Sequence, residues 1–310
     1  MADLVEGLKK ANYWWVLLSM VIGMGANVIR GLRWRMLIEP LGYHPSRMVT
    51  FHAVMVGYLV NFALPRAGEF SRCAVLNRTN KIPFNTLLGT VVTERIVDLV
   101  CLIIAITLVF FIRIDFFGTF LSDTVFIPLL NKISALFSMS VWVWLLVLFL
   151  IAAAIAGILA FKRHLKRNKI VRKVWTLGKG VMDGLKAIFK MKQWPVFVLY
   201  SILIWVCYWM TSYMTMLSIP ITASLTPADA MFLMILGGLG WIVPVQGGFG
   251  AFHFIVSLGL TIYGIPREEG VVFATISHES QAISMIVFGF ISLIAIFMIN
   301  RRQTKLQTSS

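Results

Sequence analysis

The sequence predicts an all-α, polytopic bundle of membrane helices, arranged as two inverted repeats with a broken, re-entrant helical hairpin in each. Three observations carry this. Of 310 residues, 59% are apolar or aromatic and only 13% are charged, with a mean hydropathy of +0.85. Soluble chains average about 45–50% apolar and about 25% charged residues, so the excess must face lipid. Apolar runs near the roughly 20 residues needed to cross about 30 Å of hydrocarbon recur along the chain. Two further apolar stretches are interrupted by proline and glycine at corresponding places.

The runs at 13–29, 86–112, 139–161, 195–218 and 277–299 read as spanning helices. The first is followed by Arg30, Arg33 and Arg35 rather than by the small residues of a signal cleavage site, so it reads as a retained helix. The stretches 48–80 and 228–264 are each divided in the middle into pieces of roughly 16 residues, short for a full crossing. Proline removes a backbone donor, and an unpaired backbone group in hydrocarbon is costly unless it is buried in protein or lines a wet cavity.

The two interruptions are alike. Leu64-Pro65-Arg66-Ala67-Gly68-Glu69-Phe70 and Val243-Pro244-Val245-Gln246-Gly247-Gly248-Phe249 share Pro, Gly and Phe at one offset of 179 residues. Pro65, Gly68, Pro244, Gly247 and Gly248 are the expected helix-breaking residues. Interrupted segments at matching places in two halves point to a transporter's binding site near the midplane. Generic helix breaking explains the same residues without a repeat.

Charge sets the expected topology. Lys and Arg number 28 against 13 Asp and Glu, a formal +15. Eleven of the basic residues and one acid lie between Lys162 and Lys192. Loops rich in Lys and Arg stay in the cytoplasm, so the segments 30–47, 66–85 and 162–194 and the tail with Arg301, Arg302 and Lys305 are expected inside. The poorly basic 113–138, 219–227 and 264–270 are expected outside. This pattern needs an even number of crossings in each broken stretch, so the first hairpin enters from the cytoplasm, the second from outside, and the N-terminus lies outside. The alternative makes 48–64 a full span and leaves Arg30, Arg33, Arg35 and Arg47 outside. A single integral domain, 1–310, is expected: 1–112 as the first repeat, 113–194 as a linking helix plus a basic amphipathic connector along the inner leaflet, 195–300 as the second repeat and 301–310 as a basic tail.

Several function classes are disfavoured. No soluble module is present to use the basic charge on nucleic acid. Cys73, Cys101 and Cys207 are scattered and form no disulfide framework. His278-Glu279 has Ala282 where a zinc helix of the HExxH type needs its second histidine, so neither a metal nor any other cofactor is expected. The tryptophans at 14, 15, 142, 144, 194 and 241 mostly fall at segment ends, as an interfacial belt would.

The candidate binding residues are the ionisable and amide groups of the broken segments and the helices beside them. Such groups cost at least about 2.5–3.5 kcal/mol at membrane depth, so they are usually paired and face a cavity. Arg66, Glu69 and Arg72 follow the first break, and Glu94, Arg95 and Asp98 open the next long helix. Glu94 and Asp98 share a helix face, and Arg95 is three residues before Asp98. Arg66, Arg72 and Arg95 are the expected phosphate-binding residues, with the acids orienting them or meeting a cationic headgroup. Snorkelling at the cytoplasmic interface is the structural alternative. Asn61 precedes the first break, where satisfying broken backbone is its expected role beside substrate contact. In the second half Gln246, His253, His278 and Glu279 stand at comparable places, either as contacts between helices or as substrate-binding groups.

On Leu64-Pro65-Arg66-Ala67-Gly68-Glu69 with Arg72, Glu94-Arg95 with Asp98, Pro244 with Gly247-Gly248-Phe249-Gly250, and Arg33-Trp34-Arg35, the chain resembles the lysylphosphatidylglycerol synthase transmembrane, or flippase-like, family, from about Arg30 to Arg301. His253 stands where that family often has an acid. The resemblance implies a non-enzymatic lipid transporter of a bacterial or archaeal inner membrane, moving an anionic or aminoacylated phospholipid or a polyprenyl phosphate between leaflets. The chain ends ten residues after Asn300, so the flippase-like half is expected without the tRNA-dependent synthase domain, which would make a lipid-modifying enzyme a natural partner. An intramembrane enzyme acting on a lipid phosphate and a non-catalytic partner subunit are the rival readings.

Overall fold

The computed structural model describes residues 2–113 and 191–308, with side chains over 6–113 and 191–301. The expected span at 139–161 and nearly all of the basic connector lie outside the described residues. Residues 1–109 and 187–310 form one compact unit, which holds every contact discussed below.

All regular structure among the described residues is helical: α1 (Ala2–Lys10), α2 (Tyr13–Ile38), α3 (Arg47–Ala63), α4 (Gly68–Asn80), α5 (Phe84–Ile112), α6 (Trp194–Leu217), α7 (Pro227–Ile242), α8 (Ala251–Thr261) and α9 (Arg267–Thr308). Among the described residues four segments are long and apolar enough to cross a membrane: Tyr13–Leu41, Phe84–Ile112, Trp194–Leu217 and Arg267–Arg301. Exposed Val92, Leu99 and Ile103 on α5 and Phe290, Ile294 and Phe297 on α9 give these helices apolar outer faces suited to lipid.

Local chemistry sets the boundaries. Asn12 caps α2 by accepting from the Trp14 N–H at 3.1 Å, and Ser46 caps α3 through the Val49 N–H at 3.2 Å. Thr226 and Asp229 form a reciprocal capping box around Pro227 at the start of α7. The helix begun at Tyr13 does not stop at Ile29. It continues to Ile38, two residues before Pro40, so Arg30, Arg33 and Arg35 are helical rather than part of an inside loop. Residues 66–85, likewise expected as a loop, contain the whole of α4. The last helix starts at Arg267, ten residues before the apolar run that signals it.

Both interruptions are present. Leu64 adopts an extended conformation (φ −132°, ψ 110°) and Val243 a ψ of 133°, as the steric demand of a following proline requires. The glycines then diverge. Gly68 is the buried first residue of α4, where a β-carbon would meet the Gly57 carbonyl oxygen and the Asn61 amide. Gly247, its partner in the offset, has φ +56° inside a short 3-10 turn (Gln246–Gly248), a left-handed conformation that glycine adopts without steric cost.

α3 packs on α4 and α7 on α8, so each interrupted stretch folds back as a helical pair. Two cores result. Trp34, Val54, Cys73, Leu76, Leu87 and Ile296 bind the first pair to α2, α5 and α9. Met216, Leu233, Phe252, Val256, Val272 and Phe273 bind the second to α6 and α9. The breaks meet: Phe62 packs edge-on against Trp241 and Phe249, with centroids 6.2 and 6.3 Å away, and Arg66 Nη2 donates to the Ile242 carbonyl at 3.3 Å. Trp14 is 81% exposed at a helix start, as an anchor would be, but Trp241 stacks on His278 inside the bundle and is no belt residue.

Candidate functional site

The helical course of α2 places Arg30 and Arg33 three residues apart on one face, and the four-residue spacing of Glu94 and Asp98 does the same on α5. These faces meet. Arg30 Nη1 donates to Glu94 Oε1 at 2.7 Å and to Asp98 Oδ2 at 3.0 Å, and Arg33 Nη2 reaches Asp98 Oδ1 at 2.6 Å and Glu94 Oε1 at 3.4 Å. From α4, Arg72 Nη1 stands 2.9 Å from Glu94 Oε2, an ion pair without the angle of a hydrogen bond. Glu94 is fully buried and touches all three guanidinium groups. α6 completes the cage: Tyr208 Oη accepts from Arg30 at 2.9 Å and Ser201 Oγ from Arg33 at 3.2 Å. The Arg72 guanidinium lies over the Trp34 ring, 4.6 Å from its centroid, and Trp34 is held by donating to Thr90 at 2.9 Å.

Three arginines against two carboxylates leave this buried cluster with one surplus positive charge. Arg72 Nε and Nη2 are buried and have no hydrogen-bond partner among the described residues. Beside them runs a narrow cleft lined by Arg30, Tyr58, Asn61, Glu69, Arg72 and Arg95, with about 10 Å³ of free space, room for about one water. At its rim Arg95 Nη2 donates to Glu69 Oε1 at 2.6 Å, with the two side chains 48% and 25% exposed.

The sequence-derived residues are thus divided. Glu69, Arg72, Glu94, Arg95, Asp98 and Asn61 come together around the cleft and cluster. Asn61 Oδ1 accepts from the Gly68 N–H at 2.7 Å and so satisfies the broken backbone. Arg66 is exposed on the Ile242 carbonyl and does not line the cleft. Gln246 is exposed at the second break, where its own carbonyl accepts from the Phe249 N–H. His253, His278 and Glu279 form a separate group under that break, with His278 Nε2 2.8 Å from the Gly247 carbonyl. From the sequence Arg30 and Arg33 stand as topology signals, and Arg33 as part of the resemblance, but not as binding residues, yet they are the chief partners of Glu94 and Asp98. The signal that finds them is the lack of any helix stop between Ile29 and Pro40.

A family model describing the lysylphosphatidylglycerol synthase TM region matches residues 1–289. Among curated proteins, the chain is similar to UPF0104 membrane protein MJ1595 of Methanocaldococcus jannaschii, with 24% identity over 318 aligned positions that cover 97% of this chain and 90% of the relative. No solved structure matches the chain significantly. With most of its length inside that match, and with four long apolar helices among the described residues, the chain is a multi-pass membrane protein that belongs to the lysylphosphatidylglycerol synthase TM region family.

Proposed function

We propose that the protein moves a lipid with an anionic headgroup between membrane leaflets, the phosphate entering the cleft between the α3–α4 pair and α5. The observation that carries this reading is the surplus arginine charge beside the cleft, with Arg72 Nε and Nη2 buried and unbonded at its wall. A guanidinium with spare donors suits bidentate contact with phosphate, and buried donors without acceptors in a cluster of net positive charge are costly unless an anion joins them. Arg95 and Glu69 form the gate pair: an incoming phosphate takes Arg95 from Glu69, exchanging one half-exposed ion pair for another. Room for about one water is too little for a headgroup, so this conformation is the closed one and entry requires the α3–α4 pair to part from α5.

The two interrupted helical pairs are read as re-entrant hairpins of two inverted repeats, 1–112 and 195–300, with connector 162–194 and the C-terminus cytoplasmic. The meeting of the breaks at Phe62, Trp241 and Phe249 supports this arrangement, because it brings the interruptions of the two halves together, as the interface of two repeats would. Acyl chains stay in lipid along the apolar outer faces while the headgroup passes.

The test is leaflet accessibility of labelled anionic, aminoacylated and zwitterionic lipids in vesicles reconstituted with the wild type or Arg95→Ala. Wild-type exchange of an anionic lipid should exceed that of empty vesicles and fall about tenfold in Arg95→Ala, the equivalent of one charge-assisted hydrogen bond. Equal rates for the two proteins across the panel would overturn the proposal. A change in lipid mass rather than leaflet would favour a lipid-phosphate enzyme instead.

A further inference from the structure

Three metal-ligating side chains converge under the second break from two helices that the sequence keeps apart. His253 lies in the first turn of α8, and His278 and Glu279 lie on α9. His278 is fully buried, its ring stacked on Trp241 at 4.7 Å. Its Nε2 is 2.8 Å from the Gly247 carbonyl, which can only accept, so this nitrogen carries a proton. In the neutral ring Nδ1 is then a lone pair, yet it faces Glu279 Oε1 at 3.1 Å. His253 Nε2 approaches the same carboxylate oxygen at 3.4 Å, and one ligand atom from each of the three residues lies within 4.8 Å of the others.

We propose that His253, His278 and Glu279 bind a divalent transition-metal ion of the Zn²⁺ class that ties α8 to α9 beneath the second break. A carboxylate oxygen facing two imidazole nitrogens, one of them a lone pair, suits a cation among them. Protons on the two imidazoles would join each ring separately to the carboxylate, whereas a metal ion joins all three ligands at one centre. Both spacings to Glu279 Oε1 fit: ligands about 2.0–2.1 Å from a tetrahedral zinc stand about 3.3 Å from one another, between the 3.1 and 3.4 Å found here, while the two imidazole nitrogens, within 4.8 Å of each other, close onto the ion when it binds. Two imidazoles and one carboxylate are a borderline-soft set suited to this ion, with a fourth position left for water or another ligand. The bond from His278 to Gly247 supplies the outer support that fixes a ligating imidazole, and links the ion to the break itself. Glu279 and His253, with side chains 34% and 20% exposed, leave an entry path. The linear zinc-helix pattern is absent because the third ligand comes from α8 rather than from position 282.

This proposal does not depend on lipid transport. Full-length protein carrying no polyhistidine tag is stripped with chelator, incubated with Zn²⁺, desalted and analysed by elemental mass spectrometry. A parallel sample is titrated with Co²⁺ and read by visible absorption. The wild type should retain about one Zn²⁺ per chain, give the absorption of tetrahedral Co²⁺ and melt at a higher temperature with Zn²⁺ than without. Glu279→Gln and His253→Ala should bind at least about tenfold more weakly. No retention by the wild type, as a purely protonic His278–Glu279 pair predicts, would overturn the proposal, as would equal retention by both variants. If neither variant folds, the wild-type Co²⁺ spectrum decides: tetrahedral bands support the site, and an aquo-like spectrum overturns it.

Discussion

Replacing Glu94 by Gln removes the charge at the centre of the buried cluster while keeping nearly the same shape. Glu94 touches Arg30, Arg33 and Arg72 at 2.7, 3.4 and 2.9 Å, and its own exposure is 0%. Afterwards Asp98 remains against Arg30 and Arg33, Arg72 loses its carboxylate, and the surplus rises from one positive charge to two. Removing one member of a buried ion pair costs about 3–5 kcal/mol. Because Asp98 still bonds Arg30 and Arg33, the lower end applies, about 3 kcal/mol. At about 2–4 °C per kcal/mol this is a fall of about 6–12 °C in melting temperature. The rim pair is the internal control: Glu69→Gln breaks a partly exposed contact worth about 0–1 kcal/mol and should shift melting by less than about 4 °C. A thiol-reactive dye suits the assay in detergent once the partly exposed Cys101 and Cys207 are replaced by Ser, since Cys73 is fully buried on α4 beside Arg72 and is reached when α4 detaches. Adding Arg72→Met to Glu94→Gln returns the surplus to one charge and should recover part of the loss. Equal small shifts for Glu94→Gln and Glu69→Gln would refute the argument that the cluster is a tightly coupled structural centre.

Other perturbations separate the break from the cluster. Asn61→Leu strands the Gly68 N–H without its 2.7 Å acceptor and should cost about 1–3 kcal/mol, measured by the same melt. Gly68→Ala places a methyl group against the Gly57 carbonyl oxygen and the Asn61 amide and should cost about 1–3 kcal/mol by overpacking, read by the same melt.

What could be read in the sequence follows how local each determinant is. The prolines act on the residue before them, so the ends of α3 and α7 were legible at Leu64 and Val243. Glu94 and Asp98 sharing a face follows from helical spacing alone. Their partners do not: Arg30 is 64 residues from Glu94, and a basic run after an apolar helix reads first as a topology signal. Equal spacing also overstates likeness, since Gly68 and Gly247 match in offset but take helical and left-handed conformations for different reasons. Arg66 belongs to the most recognisable motif, yet it caps the contact between the two breaks rather than lining the cleft. The group of His253, His278 and Glu279 exists only through the packing of α8 on α9, which no linear pattern encodes.

The central claim is that the arginine-rich cleft between the α3–α4 pair and α5 holds an anionic headgroup. Native mass spectrometry of the protein titrated with matched anionic and zwitterionic lipids measures that directly, for the wild type and for Arg95→Ala. The account predicts a preference for the anionic lipid in the wild type, lost by about tenfold in the variant with zwitterionic binding unchanged. The same lipid selectivity in both proteins would contradict it.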